Sequence, residues 1–339
     1  MKSILSLIKH LKEKDWNYYS EFENNIPIEK PFVSNKSPKN FIQDYFKKGG
    51  KEDIAIEFFA NSYNLARSEH TISLFFIGCL LFKKTRFQRG IFFNLPVNEN
   101  YEFFPFIWFL TCLAHDTAFD LERNQELHAK VPTLDLLKHH LDIEFDLFDQ
   151  DVNNSSEIMF GCAPNYYKYR HMNGAVDHGI YAGLFLYDRL VKNRLSKKER
   201  GEQNLFWGDQ LDAEYAYAAA TIATHNIWLP NKADVGAYNR HGLTQLVDKK
   251  PITFTESPLL YFLGIIDSIE PVKAYSCLNA NAVLQKVGLS FPNDQTIVIK
   301  PNRDLKLVII AKKAKELETW LDLEVNVQND RVEINLNFN

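Results

Sequence analysis

The sequence predicts a mainly α-helical protein with a small α+β appendage at its C-terminus. Apolar residues recur at helical spacing over long stretches, at about 52–83, 101–121, 173–194, 211–227 and 258–280. Each is too long for a strand. After about residue 290 the texture changes, and short apolar runs stand between turn-forming residues, as strands do.

In chain order, residues 1 to about 50 read as an N-terminal helical extension. It comprises a short amphipathic helix, a loop bearing Pro and Asn, and then SPKNFIQDYFKK. There Ser37 can cap a helix whose first position is Pro38. The body spans 51–290 and carries the five long patterns; Ser257-Pro258 repeats the cap-then-proline signature at the fifth. A polar insertion at about 122–171 holds the acidic amphipathic stretch PTLDLLKHHLDIEFDLF and a loop around Asn153–Ser156. In the appendage, 291–339, QTIVIK and LKLVII are expected as strands and AKKAKELETW as a helix. LEVNVQNDRVEINLNF is expected as a hairpin turning at Asn329-Asp330.

At 45% hydrophobic and 24% charged, the 339 residues have an ordinary globular composition, and 26 Phe foretell a bulky core. A net charge of -4 argues against general nucleic-acid binding but leaves room for a local basic pocket. Cys79, Cys112, Cys162 and Cys277 form no C-x-x-C pair, and three lie in apolar helical runs. They are expected as reduced core residues of a cytoplasmic protein. Lys9, His10, Lys12 and Lys14 interrupt the first apolar stretch before a signal-peptide core can form, and no apolar run reaches the length of a membrane span.

The stretch CLAHDTAF raises a problem of charge. The run before it, Phe103 to Leu110, is apolar nearly all round, and such a helix is buried. Burying Asp116 costs several kcal/mol unless an Arg or a metal ion pairs with it. The rest of the chain favours the metal. His70 lies in ARSEHTISLFFIGCLLF, His178 in VDHGIYAGLFLYDRL, His225 at the end of YAYAAATIATHN and Asp267 in LLYFLGIIDSIEP. Any one of these could be a hydrogen-bonded core residue. Five apolar helices that each offer an imidazole or a carboxylate are harder to explain so, and six such groups could hold two ions. His10, His128, His139, His140 and His241 have polar neighbours and are expected at the surface.

The order His70, His115-Asp116, His178, His225, Asp267 resembles the HD-domain superfamily of metal-dependent phosphohydrolases, over about residues 52–280. RSEHT (67–71) and DSIEP (267–271) look like the opening and closing motifs of its bis-nucleoside tetraphosphate hydrolases. HDTAFD (115–120) resembles the HD-T-x-E-D run of its guanosine tetraphosphate hydrolases, with Phe119 in place of Glu and Asp120 kept. The Lys often found three residues after the HD Asp is replaced by the same Phe119. His225-Asn226 stands where HD-GYP phosphodiesterases have His-His, and no Gly-Tyr-Pro follows. DHGI, LFLYDRL and HNIW are similar to segments of uncharacterised bacterial HD proteins.

The resemblance implies an all-helical HD-domain bundle whose binuclear site uses Asp116 as a bridge. His70, His115 and Asp267 would complete one half, and His178 and His225 the other. The ions (Fe, Mn, Zn, Ni, Co or Mg) would activate water and clamp phosphoryl oxygens of a phosphorylated small molecule, most simply a nucleotide. Arg67, one helical turn before His70, and Asp120, one turn after Asp116, are candidate catalytic groups; Asp120 reads equally as a solvated helix end. Lys168, Arg170, His171 and Lys273 are candidate phosphate binders, although surface charge is the preferred reading of Lys168 and Lys273. Gly179 and Gly183 would admit a neighbouring helix or a substrate. The same ligand order occurs in HD-fold diiron oxygenases such as myo-inositol oxygenase, the alternative reaction, and a non-catalytic ligand-sensing regulator is the third reading.

Overall fold

The computed structural model describes residues 1–18, 28–34, 36–60, 65–90, 103–152, 155–202, 207–302, 305–328 and 331–338. Among them the helices begin with α1 (Ile4–Lys9), α2 (Pro38–Lys48), α3 (Glu52–Ala60), α4 (Leu65–Lys84) and α5 (Phe103–Ala114). The insertion follows with α6 (Gln125–Lys130), α7 (Leu134–His140) and α8 (Glu157–Met172). The body continues through α9 (His178–Glu199), α10 (Gln210–Thr224), α11 (Val235–Arg240), α12 (Thr244–Val247), α13 (Pro258–Ile269), α14 (Pro271–Ala274) and α15 (Ala280–Lys286). The last elements are β1 (Val287–Asn293), β2 (Thr296–Pro301), α16 (Val308–Leu317), β3 (Leu323–Gln328) and β4 (Arg331–Leu336). The protein is mainly helical with a small C-terminal sheet.

Helices start where a side chain satisfies an otherwise free amide. Ser37 Oγ accepts from Asn40 N at 3.1 Å, Ser156 Oγ from Met159 N at 3.3 Å and Asp177 Oδ1 from Ile180 N at 2.9 Å. Pro258 opens α13 as expected, but Ser257 makes no side-chain cap. The pattern expected as one helix over 258–280 breaks at Glu270, whose ψ is 118°, because the proline that follows disfavours helical backbone before it. The first pattern is helical on both sides of 61–64, as α3 and α4, and those four positions lie outside the described residues. The second ends at Ala114, which leaves His115 and Asp116 just past the helix.

Inside the insertion, α8 is a 16-residue helix that periodicity conceals. Its buried face (Met159, Cys162, Ala163, Tyr166, Tyr167) is interleaved with Gly161 and with Pro164 inside the helix. Asp188 of α9, fully buried, staples the insertion to the body. It accepts from the amides of Glu144 and Phe145 at 2.8 and 3.0 Å and pairs with Lys192 at 3.0 Å. The loop residues Asn153 and Asn154 lie outside the described residues.

Helices α9 and α10 approach unusually closely, and glycine permits it. A Cβ on Gly183 would stand 2.6 Å from the carbonyl oxygen of Ala219; one on Gly179 would stand 2.8 Å from that of Ile222 and 3.0 Å from His225 Nδ1. A neighbouring helix, rather than a substrate, uses these glycines. Gly183→Ala is therefore expected to cost about 1–3 kcal/mol by overpacking. Urea denaturation with an unchanged midpoint would refute this.

The sheet is antiparallel throughout, in the order β1-β2-β4-β3. LKLVII is not a strand. Its Val308-Ile309-Ile310 opens α16, because Ile310, Ala314 and Leu317 then share one face and are buried. β1, starting at Val287, comes before the expected change of texture. β3 and β4 pair as a hairpin from Leu323↔Leu336 to Gln328↔Arg331, with the expected turn residues Asn329-Asp330 outside the described residues. The outer strand β3 is blocked on its open side: Val325 N donates to Glu318 Oε1 at 2.7 Å, and Lys315 Nζ donates to Val325 O at 3.1 Å. The appendage rests on α13, where Trp320 packs against Gly264 and Tyr261 Oη donates to Asp322 O at 2.8 Å.

Cys79, Cys112 and Cys162 are buried free thiols and Cys277 is exposed. Among the described residues no helix is long and apolar enough to cross a membrane.

Candidate metal centre

Five helices bring their candidate donors to one largely buried site. His70 comes from the interior of α4, His115 and Asp116 from just past α5, His178 from the first position of α9, His225 from the C-cap of α10 and Asp267 from α13. They form two donor groups that share one carboxylate: His70, His115, Asp116 and Asp267, and then Asp116, His178 and His225.

Backbone and carboxylate acceptors aim the rings. His115 Nδ1 lies 2.9 Å from the carbonyl oxygen of Cys112, and His225 Nδ1 lies 2.6 Å from that of Ile222. A carbonyl can only accept, so each Nδ1 carries the proton and each Nε2 presents its lone pair. His70 Nδ1 donates to Glu270 Oε2 at 2.8 Å with the same result. His178 Nδ1 stands 3.6 Å from Glu122 Oε1 and 3.5 Å from Asn226 Nδ2, an amide that donates to Asp177 Oδ2 at 2.9 Å.

The donors fit an ion. His70 Nε2 and His115 Nε2 are 3.4 Å apart; they lie 3.7 and 3.6 Å from Asp116 Oδ2, and 3.5 and 3.6 Å from Asp267 Oδ1. Four ligands about 2.1 Å from a tetrahedral centre stand roughly 3.4 Å apart. In the other group Asp116 turns its second oxygen, Oδ1, to His178 Nε2 at 3.7 Å, and His178 and His225 bring their Nε2 atoms to 3.2 Å.

Protonation differs between the two donor groups. Burial pushes His225 down to about 3, with the His178 and His115 rings adding to it. Burial also lowers His178. For His115 burial works downward, but the Asp116 and Asp267 carboxylates outweigh it and raise the ring. Burial would raise Asp116, yet the His115 ring and the Lys273 ammonium hold it well below the usual carboxylate range. Asp267 is held down likewise, against burial, by Lys273 and His115. The neutral rings of His178 and His225 and the ionised carboxylates are the forms a cation requires; the rise at His115 means that an ion there would have to displace a proton held by the two carboxylates.

The other candidates divide. Lys273 Nζ bonds Asp116 Oδ2 at 2.8 Å and Asp267 Oδ1 at 3.1 Å, inside the site. Burial opposes its charge, and those two carboxylates more than restore it. Arg67 donates to the carbonyl oxygen of Asp116 and pairs with Asp120 at 2.9 Å, which places Asp120 beside the site with half its side chain in water. Arg67, Lys273 and Phe119 line a cavity of about 370 Å³ that opens onto His70 and Asp116. Lys168 is exposed on α8. Arg170 pairs with Glu122 and lies 3.5 Å from Asp177, behind His178 rather than in the cavity wall. His171 stacks on His128 with ring centroids 3.8 Å apart, and the two exchange ring-to-carbonyl hydrogen bonds of 2.8 Å. His128 is thus half-buried rather than a free surface residue.

Three outer residues escaped the sequence reading: Glu270, Glu122 and Asp177. Glu270 is almost fully buried; besides His70 it accepts from Ser73 Oγ and from the amides of Val272 and Lys273, both at 2.8 Å. Its signal lay within DSIEP, where a Glu precedes Pro and can cap the helix that Pro starts. Glu122 and Asp177 carried no comparable mark.

Fold and site together define a mainly helical protein with a buried His/Asp cluster that could hold a metal ion. No protein-family model, curated protein or solved structure matches the chain.

Proposed function

We propose that the chain is a metal-dependent phosphohydrolase of the HD-domain type, acting on a phosphorylated small molecule through a two-ion site. The observation that carries this reading is Asp116, which turns one carboxylate oxygen to each donor group while four imidazole Nε2 atoms converge around it. Ions held there would acidify a water for attack and neutralise charge on the phosphoryl oxygens.

The chain's own residues supply the rest. Asp116, His178 and His225 would hold an ion in the second group with three protein donors, which would leave a coordination position for water or substrate. Lys273 and Arg67 place positive charge at the cavity wall, where a phosphate needs it. The Arg67 bond to the Asp116 carbonyl fixes the backbone that carries the bridge. Glu270 and the Cys112 and Ile222 carbonyls fix ring orientation, the role such outer partners play at metal sites.

The test is metal content per chain by elemental mass spectrometry, on protein purified without chelators or a His tag, joined to phosphate release from a panel of phosphoesters with added Mn, Co or Fe. About two equivalents and metal-dependent release are expected. A protein loaded with iron that consumes oxygen and releases no phosphate would replace this reading with the oxygenase. Repeated failure to bind any metal would leave a regulator.

A further inference from the structure

The cavity over the first donor group contains a carboxylate that phosphoryl binding does not explain. Arg67, Glu69, Phe119, Val272, Lys273 and Leu278 all face it. Its two cations are engaged: Arg67 with Asp120 and the Asp116 carbonyl, Lys273 with Asp116 and Asp267. Glu69 is half-buried, and its carboxylate has no hydrogen bond or ion pair among the described residues. It adjoins His70 on α4, and consecutive helical positions diverge by about 100°. Its carboxylate therefore does not share the heading of the ligand ring. Val272 and Leu278 give the cavity apolar wall, and Phe119, 48% exposed, presents a ring to it.

A carboxylate drawn partly out of water without a partner is costly. In a pocket it gains from a hydrogen-bond donor or a cation and repels an anion, which makes it an element of discrimination. We infer that Glu69 selects the substrate: a phosphomonoester whose organic part carries an ammonium or hydroxyl donor and no second anionic group. This rests on the phosphohydrolase reading of the same cavity.

The experiment uses the metal-loaded full chain and its Glu69→Gln variant, after their metal contents are shown to match. Binding of 2-aminoethylphosphonate, 2-hydroxyethylphosphonate and 3-phosphonopropionate is measured by calorimetry; their C–P bonds resist hydrolysis. Phosphate release is followed separately with phosphoethanolamine and 3-phosphoglycerate. The wild type is expected to bind the amino and hydroxy ligands about tenfold more tightly than the carboxylate. In Glu69→Gln that ratio should shrink to about threefold or less, chiefly because the carboxylate ligand binds better. An unchanged ratio, or no binding of any of the three, overturns the inference. Selective binding without phosphate release would defeat the hydrolase reading and leave the role of Glu69 standing. Release without selectivity would defeat the role of Glu69 alone.

Discussion

Asp116→Ala is expected to strip the protein of all bound metal while leaving its helices in place. Asp116 alone belongs to both donor groups, with Oδ2 in one and Oδ1 in the other. Every other ligand serves a single group. His178→Ala should accordingly lose about one equivalent, and Asp116→Ala both. Phosphate release should fall by roughly a thousandfold or more once the charge that stabilises the transition state is gone. The fold should survive, because the residue stands past the end of α5 and Lys273, the side-chain partner it would lose, keeps Asp267. Arg67 and the Phe119 amide both bond to its carbonyl oxygen, which alanine keeps. Far-ultraviolet circular dichroism and elemental analysis on one sample decide the matter. A variant that retains its metal would show that the two groups are not bridged here.

Glu270→Ala should produce the largest loss of stability. Its carboxylate gathers His70 Nδ1, Ser73 Oγ and the amides of Val272 and Lys273 at a position 1% exposed. Alanine would strand four donors, and a buried donor left unpaired costs about 1–3 kcal/mol. Some will find other partners, so a net loss of about 3–5 kcal/mol is expected. The ring of His70 would also be free to turn, which should weaken metal binding by roughly 10–100-fold. Glu270→Gln, which keeps one acceptor oxygen, should fall between. Urea denaturation in chelator measures the first effect and competition with a chromophoric chelator the second. Wild-type behaviour in both would remove Glu270 from the site.

Some of this was legible in the sequence because local chemistry dictates it. Ser37-Pro38 marks a helix start wherever it stands, and the alternation on either side of Asn329-Asp330 dictates the pairing of β3 with β4. The His/Asp cluster that could hold a metal is visible because a polar side chain in a long apolar run is conspicuous. What could not be read depends on neighbours remote in sequence. Val308-Ile309-Ile310 suits a strand by residue type, and only the face shared with Ala314 and Leu317 makes it helix. Arg170 looked like a phosphate binder because nothing in the chain foretells that Glu122 stands beside it. Glu122, an acidic residue in a polar stretch, is unremarkable until the fold sets it behind His178, and Asp177 reads only as the cap of α9.

The wide spread of the ligands along the chain bears on how the protein reaches its native state. His70 and its carboxylate partner Glu270 are 200 positions apart, and the candidate donors between them come from four further helices or their ends, α5, α9, α10 and α13. Closing so long a loop brings its entropic cost before any coordination bond can form. The apolar helices must therefore assemble the body by their own packing, and an arriving ion finds the donors already gathered. Metal would then enter late, as a clamp on a finished scaffold. It would slow the chain's opening while doing little to hasten its folding.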